Sequence, residues 1–209
     1  MMISIKNAIP RNPVFCFGKP VSFRIGHSEQ VAFVGPNGGG KSVIAQMLTG
    51  RYPLKQGELI YDFSPSPVYE NIKFIAFKDS YGSADSSYYM QQRWNSQDRD
   101  ESPLVRDALG EFQKDDLTGS LFQSFGVAEM RDKQMVLSSS GEMRKFQLTR
   151  ALLSRPRMLI IDNPFIGLDM EARNLLYELL NGLIETGRVQ VILLLAVTEE
   201  IPDFVTHII

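Results

Sequence analysis

Cysteine is all but missing from this chain. Cys16 stands alone in 209 residues, which excludes an internal disulfide framework and a cysteine-built zinc site and fits a reducing cytosol. Its simplest role is that of a small buried hydrophobe. An excess of basic charge is missing too: 22 Lys and Arg face 24 Asp and Glu, a formal net charge of −2. That balance predicts no broad nucleic-acid or anionic-membrane surface and makes nucleic acid a disfavoured partner, while leaving room for local basic patches. Long apolar runs are missing as well. The stretch Val191–Val197 falls far short of the ~20 residues that span a bilayer, so any membrane role has to be borrowed from a partner. The opening MMISIKNAIPRNPVF has no basic head followed by an apolar stretch and does not read as a signal peptide. The expected location is cytoplasmic, peripheral to the inner membrane only through a partner. Histidine is scarce, at His27 and His207 alone, and no internal repeat is visible.

What is present is enough apolar material, 44% of residues, for the core of one α/β domain with a smaller subdomain. Ile3–Ile9, Val21–Ile25 and Gln30–Val34 are short, apolar or alternating, and broken by Pro and Gly, which predicts a strand-rich entry. A helix is expected over Ser42–Leu48, stopped by Gly50 and Pro53. Strands follow at Glu58–Phe63 and Ile72–Phe77, joined by the turn-rich SPSPVYEN. Two helical stretches are expected in Leu104–Val127, and a third in Gly141–Leu153, with Met143, Phe146, Gln147, Arg150 and Leu153 at helical spacing. Arg157–Asp162 reads as a buried strand. Asp169 caps a long helix with the stripe Leu175, Leu176, Leu179, Leu180 and Leu183, ended by Gly187. Strands at Val189–Val197 and Phe204–Ile209 complete a mainly parallel sheet.

The run GPNGGGKS, Gly35–Ser42, sits straight after the apolar Val31–Val34 and before the first helix. Strand, glycine loop and helix in that order make a phosphate-binding loop. Glycines let the backbone of Gly35, Pro36, Asn37, Gly38, Gly39 and Gly40 wrap inward so that its N–H groups meet phosphate oxygens, and Val43 follows in the first helical turn. Lys41 reaches the β and γ phosphates and the Ser42 hydroxyl ligates Mg2+. Such a loop needs a carboxylate at the end of a neighbouring strand, and Asp162, after four apolar residues, is the natural one. Between Lys78 and Pro103 aliphatics give way to Ser, Asp, Gln and aromatics, which reads as a long surface insertion. Its Tyr88, Tyr89, Arg93 and Trp94 could grip a partner or stack on a base.

Four ordered blocks, GPNGGGKS at Gly35, SSSGE at Ser138, LIIDNP at Leu159 and GLD at Gly167, resemble the motifs of the ATP-binding cassette (ABC) ATPases over most of the chain. SSSGEMRKFQLTRALLSRP, Ser138–Pro156, is similar to the signature loop and helix of that family, usually LSGGQ followed by a basic residue and an RAL run, here Arg150, Ala151 and Leu152. DNPFIGLD and the ending EEIPDFVTHII look most similar to the molybdate-transport and photorepair ATP-binding proteins. The resemblance implies an α/β P-loop NTPase fold and one domain over 1–209. Its nucleotide-binding core spans 1–78 and 155–209, and an insertion plus a helical signature subdomain span 79–154. It implies ATP and Mg2+ as cofactors and a second cassette, identical or in tandem, as partner, with a membrane permease subunit as a further one. ATP would lie between the phosphate loop of one cassette and the signature loop of the other, where Ser139 and Gly141 donate to the γ-phosphate beside Ser140 and Glu142. Read without the resemblance, SSSGE is also an ordinary serine cap with a capping acid.

The pattern breaks at several places. The family's glutamate after the aspartate is replaced by Asn163, which cannot accept a proton from water; a positioned base contributes about 10²–10⁴-fold, so slow hydrolysis is expected. The switch histidine is absent, with Ala196 or Val197 in its place, and His27 and His207 read as structural or exposed. No Gln lies where the Gln loop should follow Phe77; Gln91 or Gln92 would substitute only if the insertion folds back. Ser138, Ser140 and Glu142 replace Leu, Gly and Gln of the usual signature, and a carboxylate aimed at phosphate would repel it. For an adenine-stacking ring, Phe15 and Phe17 are open alternatives to core packing. The roles open to the chain are a slow ATPase that drives or regulates a partner such as a transporter, a non-hydrolytic ATP switch, or the degenerate half of a tandem cassette acting in DNA repair or regulation.

Overall fold

The computed structural model describes residues 2–15, 17–63, 67–76, 103–110, 116–197 and 200–209. Cys16 and the insertion 78–102, with Tyr88, Tyr89, Arg93, Trp94, Gln91 and Gln92, lie outside the described residues. The chain divides into two units. The first comprises Met1–Ala76, Arg155–Pro164 and Leu180–Ile209, and the second Phe77–Ser154 and Phe165–Leu179.

Two sheets build the first unit. Strands β1 (Ile3–Pro10), β2 (Val21–Ile25) and β4 (Leu54–Tyr61) form an antiparallel sheet in the order β2-β1-β4. Strands β3 (Val31–Val34), β5 (Ile72–Ala76), β6 (Met158–Asp162), β7 (Gln190–Leu195) and β8 (His207–Ile208) form a parallel sheet in the order β5-β6-β7-β3-β8. Every residue of β6 and β7 is buried, as a parallel strand covered on both faces requires, and MLIID and QVILLL are the unbroken apolar runs that this burial selects. One hydrophobic cluster contains Ile3 and Ile25 from the first sheet, Phe33, Ile160 and Ile192 from the second, and Leu48 from helix α1 (Lys41–Leu48). A single fully buried aliphatic of this kind contributes roughly 1.5–3 kcal/mol.

Register places the chemistry. Phe33 pairs with Leu194, and Leu194 pairs with Asp162. The loop after β3 and the last residue of β6 therefore leave the sheet at one carboxyl edge, with β7 between them, which is where open α/β sheets hold ligands. Two buried glutamines stitch the opposite edge. Gln30 Oε1 accepts from the Val191 amide at 2.7 Å, and Gln190 Nε2 donates to the carbonyls of Gly26 and Glu29 at 2.8 and 2.6 Å.

Several elements differ from expectation. The strand expected at Glu58–Phe63 begins at Leu54, because its N-terminal half is held by β1. Within SPSPVYEN a one-turn helix, α2 (Val68–Asn71), stands before β5. The terminal strand is only His207–Ile208, since Val205 closes a turn on the Pro202 carbonyl. The Val189–Val197 strand is trimmed to Gln190–Leu195.

In the second unit, helices α3 (Val105–Ala108), α4 (Asp116–Ser124) and α5 (Val127–Met130) precede α6 (Ser140–Leu153). Gly126, at φ 63°, separates α4 from α5 and turns the chain. Helix α6 buries Arg144, Phe146, Leu148, Thr149 and Leu152, so of the expected stripe through Met143, Phe146, Gln147, Arg150 and Leu153 only Phe146 is buried, and the buried face is wider than that stripe. It is covered over much of its circumference, so no single stripe marks the buried side. Helix α7 (Met170–Glu185) is capped by Asp169, whose Oδ1 accepts from the Ala172 amide at 2.8 Å. Of its leucine stripe, Leu176 and Leu180 are buried while Leu175 is exposed.

Candidate functional site

The glycine loop leaves β3 at Gly35 and enters α1 at Lys41. Gly38 and Gly40 adopt φ of 80° and 90°, a region where side chains with a Cβ are strained. Gly40 is needed a second time, because a Cβ there would lie 2.5 Å from the Phe17 ring. Gly40 caps α1 without a side chain, so the amides of the first turn are not met by a capping oxygen and form a ready anion site at the positive end of the helix. Lys41 Nζ donates to the carbonyls of Gly35 at 2.7 Å and Pro36 at 3.0 Å. The ammonium is thus folded onto its own loop, held by groups it can exchange for stronger anionic acceptors.

At the end of β6, Asp162 is buried and both of its oxygens are engaged. Oδ2 accepts from Ser42 Oγ at 2.7 Å, and Oδ1 accepts from Asn163 Nδ2 at 2.9 Å. Gly35–Val43, Asp162 and Asn163 therefore belong to the first unit, with Ser42 and Asp162 in direct contact although 120 residues separate them in sequence. Asn163 adopts φ 50°, and its amide donates to the Leu194 carbonyl at 3.0 Å. Asn tolerates the left-handed region better than most residues. A hydroxyl and a carboxylate in contact beside a phosphate loop suit Mg2+, which keeps several waters and takes few protein oxygens. Among the described residues no group of three or more His, Cys, Asp or Glu could hold a metal by itself.

Ser139, Ser140, Gly141 and Glu142 belong to the second unit. Ser139 is the N-cap of α6 and forms a capping box with Glu142: Ser139 Oγ accepts from the Glu142 amide at 3.2 Å, and Glu142 Oε2 accepts from the Ser139 amide at 2.7 Å. Helix α6 starts at Ser140, one residue before the expected Gly141. Lys133 Nζ donates to the same Oε2 at 2.7 Å. That bond, with the Ser139 amide, holds the Glu142 carboxyl below the ordinary glutamate range. Gly141 lies beside α7, where a Cβ would stand 3.9 Å from that of Ala172. Arg144 is buried and donates to the Ile166 carbonyl, which ties the helix to the chain after Asn163. Ser138 is buried with no partner for its hydroxyl among the described residues.

Lys133 and Arg144 were not singled out by sequence reasoning. Lys133 is nine residues from its partner, outside helical spacing, and a basic residue after the signature gives no hint of burial. Phe15 is stacked on Tyr52, with ring centroids 4.7 Å apart, and Phe17 packs against the cluster of Ile5, Ala8 and Met47. His27 pairs with Asp62 at 3.1 Å and His207 lies 3.7 Å from Glu29. Ala196 follows β7, and Val197 is exposed. Burial pushes the Tyr61 phenol above the ordinary tyrosine range, and its hydroxyl donates to the Leu48 carbonyl at 2.8 Å.

A parallel sheet whose carboxyl edge joins a glycine loop to a buried aspartate defines a P-loop nucleotide-binding domain. The profile of the ABC transporter family matches residues 18–166, and the chain belongs to that family. It is 34% identical over 183 residues to the ABC transporter ATP-binding protein ModF of Escherichia coli, covering 83% of this chain and 35% of that protein. It is 29% identical over 153 residues to the lipopolysaccharide export system ATP-binding protein LptB of Escherichia coli, covering 71% of this chain and 61% of that one. Thus the chain spans about a third to three-fifths of the length of these relatives. Among solved structures, cbiO1 of Clostridium perfringens, part of the ABC transporter complex cbiONQ, is similar at TM-score 0.71 and 19% identity over 93% of this chain and 78% of that one. A nucleotide-free ATP-binding cassette from an ABC transporter is similar at TM-score 0.70 and 15% identity over 92% and 80%. ATP binding and hydrolysis are general to the family. Among the described residues no helix is long and apolar enough to cross a membrane.

Proposed function

We propose that this chain is a cytoplasmic ABC-type ATP-binding protein, one cassette domain over 1–209, that binds Mg-ATP, pairs head to tail with a second cassette and hydrolyses ATP slowly to drive or regulate a partner. The observation that carries the reading is the 2.7 Å contact of Ser42 Oγ with Asp162 Oδ2 beside the Lys41 loop. The amides of Gly38, Gly39, Gly40, Lys41, Ser42 and Val43, with Gly35, Pro36 and Asn37 shaping the turn, would surround the phosphates. Lys41 would leave the Gly35 and Pro36 carbonyls for the β and γ phosphates. Mg2+, held by Ser42 with Asp162 behind its water shell, would neutralise charge on the phosphates during transfer. From the other cassette, Ser139 and the α6 amides at Ser140 and Gly141, beside the capping Glu142, would close on the γ-phosphate. Calorimetry tests the reading: the unmodified chain takes up Mg-ATP, and Lys41→Ala loses that uptake. Equal uptake by both would reject it.

A second reading, a switch that binds ATP without turning it over, is favoured by the Asn163 amide donating to Asp162 Oδ1, which commits the side chain to the metal carboxylate instead of to water. A permease subunit or a second cassette fits the partner position in either reading, and the coverage of 35% of ModF leaves room for a tandem arrangement.

A further inference from the structure

The acidic residue in the signature loop has a dedicated counter-charge. Glu142 Oε2 takes two donors, the Ser139 amide and Lys133 Nζ, each at 2.7 Å. Lys133 is itself anchored through its backbone: its amide donates to the Met130 carbonyl at 3.0 Å, and its carbonyl accepts from the Val105 amide at 2.9 Å. The ammonium is presented from a fixed turn, and both side chains remain reachable, 35% exposed for Lys133 and 29% for Glu142.

A carboxylate in the first turn of a helix suits the helix dipole and needs no lysine. What needs one is a phosphate facing that turn, because two like charges brought together in a closing interface lose their water and repel strongly. A Glu–Lys pair is neutral as a unit and keeps an ammonium at the same place. We propose that Lys133 is the counter-charge that lets this acidic loop accept a triphosphate, so that ATP-dependent pairing of two copies of this chain depends on Lys133 for as long as residue 142 is glutamate. This rests on the head-to-tail reading above.

Sedimentation of the full chain with and without Mg-ATP, together with ATP uptake by dilute protein and thermal melting, tests it in four proteins: unmodified, Lys133→Ala, Glu142→Gln, and the double variant. Gln serves a capping box as well as Glu does, so Glu142→Gln removes charge and keeps the cap. Lys133→Ala is expected to weaken ATP-dependent pairing by about 10–100-fold while ATP uptake is unchanged. Glu142→Gln, which leaves the ammonium without its counter-charge beside the phosphate, is expected to pair more tightly than the unmodified chain, and the double variant recovers to within about threefold of the unmodified chain. Lys133→Ala pairing normally, or a double variant as weak as Lys133→Ala, overturns the proposal and leaves the clamp intact. A merely structural lysine shows the second pattern, with pairing tracking lost thermal stability. An unmodified chain that takes up ATP but never pairs with a second copy of itself overturns this proposal, while its ATP uptake upholds the nucleotide-binding reading.

Discussion

Asn163 holds two properties that pull apart on substitution. Its amide donates to Asp162, and its backbone sits at φ 50°. Asn163→Glu restores a group able to accept a proton from water, and turnover is expected to rise by about 10-fold or more, short of the full value of a placed base because no switch histidine follows β7. The same change costs about 1 kcal/mol of stability through the left-handed backbone. Steady-state ATPase rates and melting read the two effects separately; an unchanged rate would favour the switch. Glu142 gives a pH signature. Its folded-state pKa is depressed by Lys133 and the Ser139 amide, so its contribution is fully present above the unfolded-state value and is lost as pH falls through the lower folded-state one. Glu142→Ala should therefore lower the melting temperature near neutrality, by an amount worth at most about 1 kcal/mol for so exposed a pair, and the gap to the unmodified chain should narrow as pH falls below the ordinary glutamate value of about 4.3. A gap that widens on acidification would contradict the assignment. At this scale the loop residues and Asp162 stood out because their chemistry dictates residue type. Lys133, Arg144, Gln30 and Gln190 did not, because only tertiary placement gives a polar side chain its partner.

Among the elements, β1 and β4 show how a strand pair absorbs an irregularity. The register of β1 on β4 shifts between Lys6 and Ile9, where Asn7 adopts φ 48°, and Gly57 of β4 faces it at φ 91°. A Cβ on Gly57 would lie 2.4 Å from both the Lys6 and Asn7 carbonyl oxygens, and backbone cannot swing aside as a side chain does. Gly57→Ala is expected to cost at least about 2 kcal/mol in chemical denaturation, more than an ordinary glycine replacement in a strand; a cost below about 0.5 kcal/mol would show that the bulge relaxes. The parallel strands were legible from MLIID and QVILLL because burial on both faces leaves no polar alternation. Leu54–Gln56 was not, since its pattern is polar and its strand character comes from β1. The α6 stripe misled for the converse reason: a helix covered on more than one side advertises no single face.

For the molecule as a whole, the sheet order joins distant parts of the chain. Removing β7 and β8 should leave Phe33 and Ile160 without the strand that lies between theirs. A fragment of residues 1–186 is expected to show neither a cooperative melt nor uptake of Mg-ATP. Cooperative unfolding of that fragment would mean that the two parts of the core are independently stable. Fold class was readable from the alternation of strands and helices around the glycine loop, whereas the order β5-β6-β7-β3-β8 was not, because several parallel orders bury the same apolar strands.

That strand order also sets a schedule. Val34 meets Leu195 and Asp162 meets Leu194, so the phosphate loop, made before β7, has no fixed neighbour on its metal side until β7 slides between β3 and β6. A nascent chain emerging from the ribosome at about 5–20 residues per second therefore cannot grasp a nucleotide while the residues between β3 and β7 are being made, and competence arrives only as β7 is inserted.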